Sequence, residues 1–102
     1  MNQVYTIILF YKYAHIANPK ELRDAQFALC TRLGMKGRMI IATEGINGTF
    51  EGTDEACKEY MDLMKADHKF SDIHWKISEG TNDGTAFPRL SVKTRKEIVS
   101  LH

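Results

Sequence analysis

Residues 5–13 (Tyr-Thr-Ile-Ile-Leu-Phe-Tyr-Lys-Tyr) are β-branched and aromatic with almost no polar interruption. That pattern predicts a strand in the middle of a sheet, with much of both faces covered. The period then changes. Asn18 stands where a helix N-cap belongs, Pro19 occupies the first helical position, and Glu21 is placed to reach back as in a capping box. Leu22, Ala25, Leu29 and Leu33 follow at helical spacing, and Gly34 suits a left-handed terminator.

Residues 36–42 (Lys-Gly-Arg-Met-Ile-Ile-Ala) predict a second strand. In 44–52, Ile46, Gly48 and Phe50 alternate with Asn47, Thr49 and Glu51, which predicts a third, half-buried strand. Either Glu44-Gly45 or Asn47-Gly48 can make the hairpin turn. The first is preferred because it leaves two strands long enough to pair and keeps Ile46 and Phe50 on one face. Thr53, Asp54 and Glu55 cap a second helix whose apolar stripe is Cys57, Tyr60, Met61 and Met64. Ile73, Trp75 and Ile77 alternate with His74, Lys76 and Ser78, predicting a fourth strand over 72–79. The segment 80–88 reads as a turn-rich loop, and Leu90, Val92 and Thr94 begin a fifth strand.

Two helices separated by a hairpin, each flanked by strands, define a ferredoxin-like α+β fold: a βαββαβ sandwich with both helices on one face of an antiparallel sheet, and here an extra C-terminal strand. Right-handed crossovers place the first strand centrally, parallel to the second, with the third between them. Loops 14–19 and 67–72 and the Glu44-Gly45 turn then share one end of the sheet.

With 102 residues the chain fits a single domain, 1–102. Its 43% apolar and 26% charged residues match a globular composition, and the longest apolar run is far too short to span a bilayer. No signal-peptide pattern opens the chain, so a cytoplasmic protein without a membrane partner is expected. Cys30 and Cys57 are too few and too far apart for a disulfide framework or a zinc site and are expected to be buried apolar residues. A net charge of +1 gives no overall field for a polyanion. The charge is unevenly spread, however, with an acidic second helix set against basic residues among 89–96.

Candidate chemistry is sparse. His15, Glu44 and His68 fall on loops at one end but lack metal-ligand spacing, so neither a metal site nor a cofactor is expected. An acylphosphatase of this fold class needs an arginine-bearing, phosphate-cradling loop after the first strand. Residues 13–18 contain neither arginine nor glycine there. The aromatic third-strand signature of RNA-recognition modules is also missing. What remains is electrostatic: Arg38, Lys76, Arg89, Lys93 and Arg95 are the candidate nucleic-acid-binding residues.

One resemblance is specific. The motif Ala42-Thr43-Glu44-Gly45-Ile46-Asn47-Gly48-Thr49 is preceded by Phe10-Tyr11-Lys12-Tyr13 and Lys36-Gly37-Arg38. It is followed by Ala86-Phe87-Pro88-Arg89-Leu90 and Arg95-Lys96-Glu97-Ile98-Val99. Together these resemble the amino-terminal, acylphosphatase-like domain of the rhodanese-related tRNA uridine hydroxylase family, formerly an uncharacterised protein family. The resemblance implies that a rhodanese-like domain carrying the catalytic cysteine follows beyond His102, that the complete enzyme hydroxylates the wobble uridine of tRNA with oxygen, and that this segment holds no catalytic residue. Expected partners are tRNA and the C-terminal rhodanese-like domain. The alternative role is a docking module for that domain, or for a second copy, using the apolar first strand and the tail Ile98, Val99 and Leu101. Glu44, Gly45, Asn47 and Gly48 are expected first to shape the turn.

Overall fold

The computed structural model describes residues 5–96. Ile98, Val99 and Leu101 lie outside them. The elements run β1 (Tyr5–Tyr13), α1 (Pro19–Leu33), β2 (Lys36–Ala42), β3 (Gly45–Thr53), α2 (Asp54–Ala66), β4 (Lys76–Glu79) and β5 (Leu90–Thr94). The five strands form one sheet in the order β4-β1-β3-β2-β5. β3 runs antiparallel to both β1 and β2, while β5 adds to the edge parallel to β2. This is the expected ferredoxin-like order with one strand appended.

Local chemistry sets the helix ends. Asn18 accepts a hydrogen bond from the Glu21 backbone N–H at 3.2 Å, and Gly34 ends α1 at φ 72°. Thr53 accepts from the Ala56 N–H at 3.1 Å to open α2. Such caps are worth about 1 kcal/mol each, whereas burying one large apolar side chain contributes about 1.5–3 kcal/mol, so packing decides where the helices lie.

The core is built on one sheet face. Ile8 and Phe10 of β1, Met39 and Ile41 of β2, Ile46 and Phe50 of β3 and Val92 of β5 are all buried there, and α1 and α2 cover them. Phe10, Phe50 and Tyr60 form a ring cluster with centroids 5.6 to 6.0 Å apart, and Trp75 packs on Phe10 at 4.9 Å. The Tyr60 hydroxyl donates to Gln26 Oε1 at 2.7 Å, which satisfies a polar pair deep between the helices.

Four expectations require correction. β1 is covered on one face only: Leu9, Tyr11 and Tyr13 are exposed on the other, because no layer formed by the described residues covers that part of the sheet. The apolar face of α1 is rotated from the expected stripe, with Gln26 and Cys30 deepest and Ala25 exposed. The fourth strand is shorter than 72–79. Ile73 and Trp75 pack onto the core before the ladder begins at Lys76, since extended chain keeps a period of two whether or not a neighbour pairs with it. Ile77 lies opposite Ile8 but is 58% exposed, because β4 is an edge strand beyond the cover of the helices. Finally, the hairpin turn is Thr43-Glu44, with Gly45 already paired to Ala42 as the first residue of β3.

Candidate functional site

Strand register defines what the uncovered sheet face presents. Tyr11 pairs with Asn47, Asn47 with Ile40, and Ile40 with Lys93, so these four residues make one row across β1, β3, β2 and β5. The adjacent row is Lys76, Leu9, Thr49, Arg38 and Ser91. A face that sequence periodicity marked as polar along β3 thus carries tyrosines on one side and cations on the other.

The connection from β4 to β5 has to cross this face, because the two strands are at opposite edges of the sheet. Glu51 holds it down. Its carboxylate accepts from the Thr81 N–H at 2.6 Å, the Thr81 hydroxyl at 2.9 Å and the Ala86 N–H at 2.8 Å, and the residue is only 2% exposed. Three donors converging on one carboxylate offset the loss of water around a buried charge. The Gly37 N–H donates to the Arg89 carbonyl at 3.1 Å, fixing the far end of the crossing beside β2.

Between the crossing segment and strands β2 and β5 lies an open groove of about 430 Å³. Phe87 and Pro88 form one wall, and Arg38, Arg89, Lys93 and Arg95 line the groove. All four are exposed, and among the described residues none of them is ion-paired. The fold therefore brings together four of the five cations singled out in the sequence. Lys76 shares the face but stands three strands from Arg38, about 14 Å away at ordinary strand spacing.

The turn residues have separate tasks. The Glu44 carbonyl accepts from the Ala14 N–H at 3.0 Å, and the Thr43 carbonyl accepts from the Ile16 N–H at 2.8 Å. These bonds tie the hairpin to the loop after β1. They also occupy two of the backbone donors that a phosphate-cradling loop would need, and Ile16 is buried. A Cβ on Gly45 would stand 2.3 Å from the Lys12 carbonyl oxygen, and one on Gly48 would stand 2.7 Å from the Phe10 ring. Asn47 is 9% exposed on the open face, and its Nδ2 has no hydrogen-bond partner among the described residues.

Cys30 and Cys57 are both buried. Burial pushes their thiols up to about 12 and about 11, which keeps them in the protonated, non-nucleophilic form. His15, Glu44 and His68 are exposed, and among the described residues no three His, Cys, Asp or Glu side chains are grouped to hold a metal ion.

Sequence reasoning missed Glu51, which it placed on the polar side of β3 without a partner. It also missed the exposure of Tyr11 and Tyr13. The short alternation around Lys12 was the available signal for the tyrosines. Glu51 gave none, because its donors lie thirty and more residues away.

A five-stranded sheet in the order β4-β1-β3-β2-β5 with two helices on one face defines a ferredoxin-like α+β domain. The chain belongs to the family described as the UPF0176 acylphosphatase like domain, which matches residues 5–98. It is 45% identical over 95 residues to the tRNA uridine(34) hydroxylase of Cytophaga hutchinsonii, covering 93% of this chain and 30% of that protein. It is 44% identical over 101 residues to the tRNA uridine(34) hydroxylase of Bacillus licheniformis, covering 99% of this chain and 31% of that one. The chain thus spans about a third of these relatives and corresponds to their amino-terminal domain. Among solved structures it is similar to BlrB, a BLUF protein in its dark state, with a TM-score of 0.70 at 19% identity over 93% of this chain and 76% of that one. It is also similar to full-length HypF in a phosphate- and nucleotide-bound form, with a TM-score of 0.59 at 13% identity over 92% of this chain and 13% of that one. At such identities these two likenesses establish the fold alone.

Proposed function

We propose that the chain is the amino-terminal, non-catalytic domain of a tRNA uridine hydroxylase, and that it holds tRNA by its phosphates while a following rhodanese-like domain carries out the oxygen-dependent chemistry in the cytoplasm. The observation that carries this reading is the groove lined by Arg38, Arg89, Lys93 and Arg95, with Lys76 on the same face. Exposed guanidinium and ammonium groups gathered along one face attract a polyanion and release its counterions on contact. The relatives' names supply the kind of polyanion. The buried thiols and the engaged loop after β1 fit a domain that leaves catalysis to another part of the enzyme.

Filter binding of tRNA to this chain at low salt tests the proposal. The expected result is binding that weakens about tenfold or more when Lys93→Glu and Arg95→Glu are combined. Binding that is undetectable, or unmoved by the double charge reversal, would count against it.

A second reading has its own observation. Leu9 is 41% exposed on the open face beside the exposed Tyr11, apolar surface that a docked domain would cover. Under this reading the open face binds the remainder of the enzyme. Titrating a separately made rhodanese-like domain into the chain would then shift the NMR signals of Leu9, with no tRNA needed.

A further inference from the structure

The groove accounts for the cations of the open face but not for the rest of the row that ends at Lys93. Tyr11 and Tyr13 are 56% and 61% exposed, side by side on the same face of β1. Their ring centroids are 6.2 Å apart and their planes meet at 78°, so the edge of one ring meets the face of the other. Next to Tyr11 in the row stands Asn47, more than nine-tenths buried, with an amide nitrogen that finds no acceptor among the described residues. Buried side-chain donors almost always have a partner, and an orphan on an otherwise open face points to a group absent from the structure. One strand further on comes Ile40, then Lys93 in the groove. Tyrosine, amide and ammonium are thus aligned across three strand spacings, about 14 Å.

Resting on the reading of this face as an RNA surface, we propose that the row Tyr11–Asn47–Ile40–Lys93 is a seat for an unpaired nucleobase. The base stacks on the face of one tyrosine ring while the other meets its edge, the Asn47 amide, closed off before the ligand arrives, turns out so that Nδ2 donates to a base carbonyl, and a flanking phosphate meets Lys93 and Arg38. Each part matches a known need of the ligand. Bases offer a π-face only when splayed from a helix, and aromatic side chains on an open sheet are a common platform for them. A base carbonyl is a planar acceptor that satisfies a lone amide donor.

The test compares two fluorescent ligands in anisotropy titrations with this chain: a single-stranded RNA dodecamer rich in uridine, and an abasic ribose-phosphate oligomer of equal length. The expected result is that the chain prefers the RNA by about five- to 150-fold, the range that stacking one base supplies. Tyr11→Ala with Tyr13→Ala should abolish most of that preference, Tyr11→Phe with Tyr13→Phe should retain it, and the salt dependence should be the same in all three proteins. Both tyrosines project from the surface, so folding of the variants is checked by circular dichroism alone. In the wild-type chain, the Asn47 side-chain amide signals should move on adding the RNA and stay in place on adding the abasic oligomer. Equal affinity for the two ligands, or a preference that survives the alanine pair, would overturn the seat and leave the phosphate groove standing. Failure of both ligands and of tRNA to bind at low salt would remove the groove as well, and a shift of the Tyr11 and Tyr13 signals by the rhodanese-like domain instead would assign the face to protein.

Discussion

Glu51 shows how much of the site depends on one residue whose strand position alone marks it as ordinary polar surface. Its carboxylate takes three hydrogen bonds from a segment that would otherwise cross the sheet with only its ends attached. Hydrogen bonds to a charged group are worth more than neutral ones, and leaving their donors unpaired adds a desolvation penalty. Glu51→Ala is therefore expected to destabilise the fold by about 2–4 kcal/mol, and Glu51→Gln, which keeps an acceptor, by about half as much. Urea unfolding followed by Trp75 fluorescence checks the order of the two variants. The Phe87–Pro88 wall of the groove hangs on this anchor, so Glu51→Ala should also raise amide exchange at Ala86 and Phe87 well before global unfolding. Equal stability of all three proteins would mean that the contacts of Glu51 do not fix the loop.

At the scale of elements, the hairpin of β2 and β3 decides both register and shape. Gly45 leaves no room for a side chain because the β1 backbone at Lys12 and Tyr13 passes directly over it. The obstacle is backbone, which cannot swing aside as a side chain can. Gly45→Ala should cost about 2 kcal/mol or more and shift the midpoint of urea unfolding accordingly, while the same change at Gly34, with open space around it, should cost less despite its left-handed φ. This hairpin also shows what the sequence made legible. β1, β2 and the capped start of each helix follow from local pattern and end residues, because those signals act over a few positions. The turn was displaced by one residue, since Glu44-Gly45 fits a tight turn locally and only the approach of β1 makes glycine the first strand residue instead. The shortened β4 and the bare face of β1 escaped for a related reason: alternation reports which side a residue faces, and neighbours decide whether that side is paired or covered. Of the candidate site, Arg38, Arg89, Lys93 and Arg95 were legible as charges, but their meeting in one groove required β5 to join the edge of β2.

The whole molecule sorts charge in a way its near-zero total conceals. Net charge is +1, yet Asp54, Glu55, Glu59 and Asp62 belong to α2 in the helical layer, and Arg38, Lys76 and Lys93 belong to the opposite face of the sheet. A polyanion approaching the open face therefore meets cations first, with the acidic helix shielded behind roughly one layer of protein and more than a Debye length of about 8 Å at physiological salt. If the four groove cations each neutralise one phosphate, the affinity for single-stranded RNA should fall with salt along a log–log slope of about −3, since each such contact adds about 0.7. Arg38→Ala should make that slope shallower by about 0.7, whereas Lys58→Ala, on α2, should leave it unchanged. The comparison of the two variants carries the argument, because both remove one positive charge and alter net charge equally. Anisotropy titrations of a labelled RNA across a series of salt concentrations measure both slopes. Equal losses from Arg38→Ala and Lys58→Ala would show attraction by total charge rather than by this face, while a loss confined to Arg38→Ala ties binding to the groove.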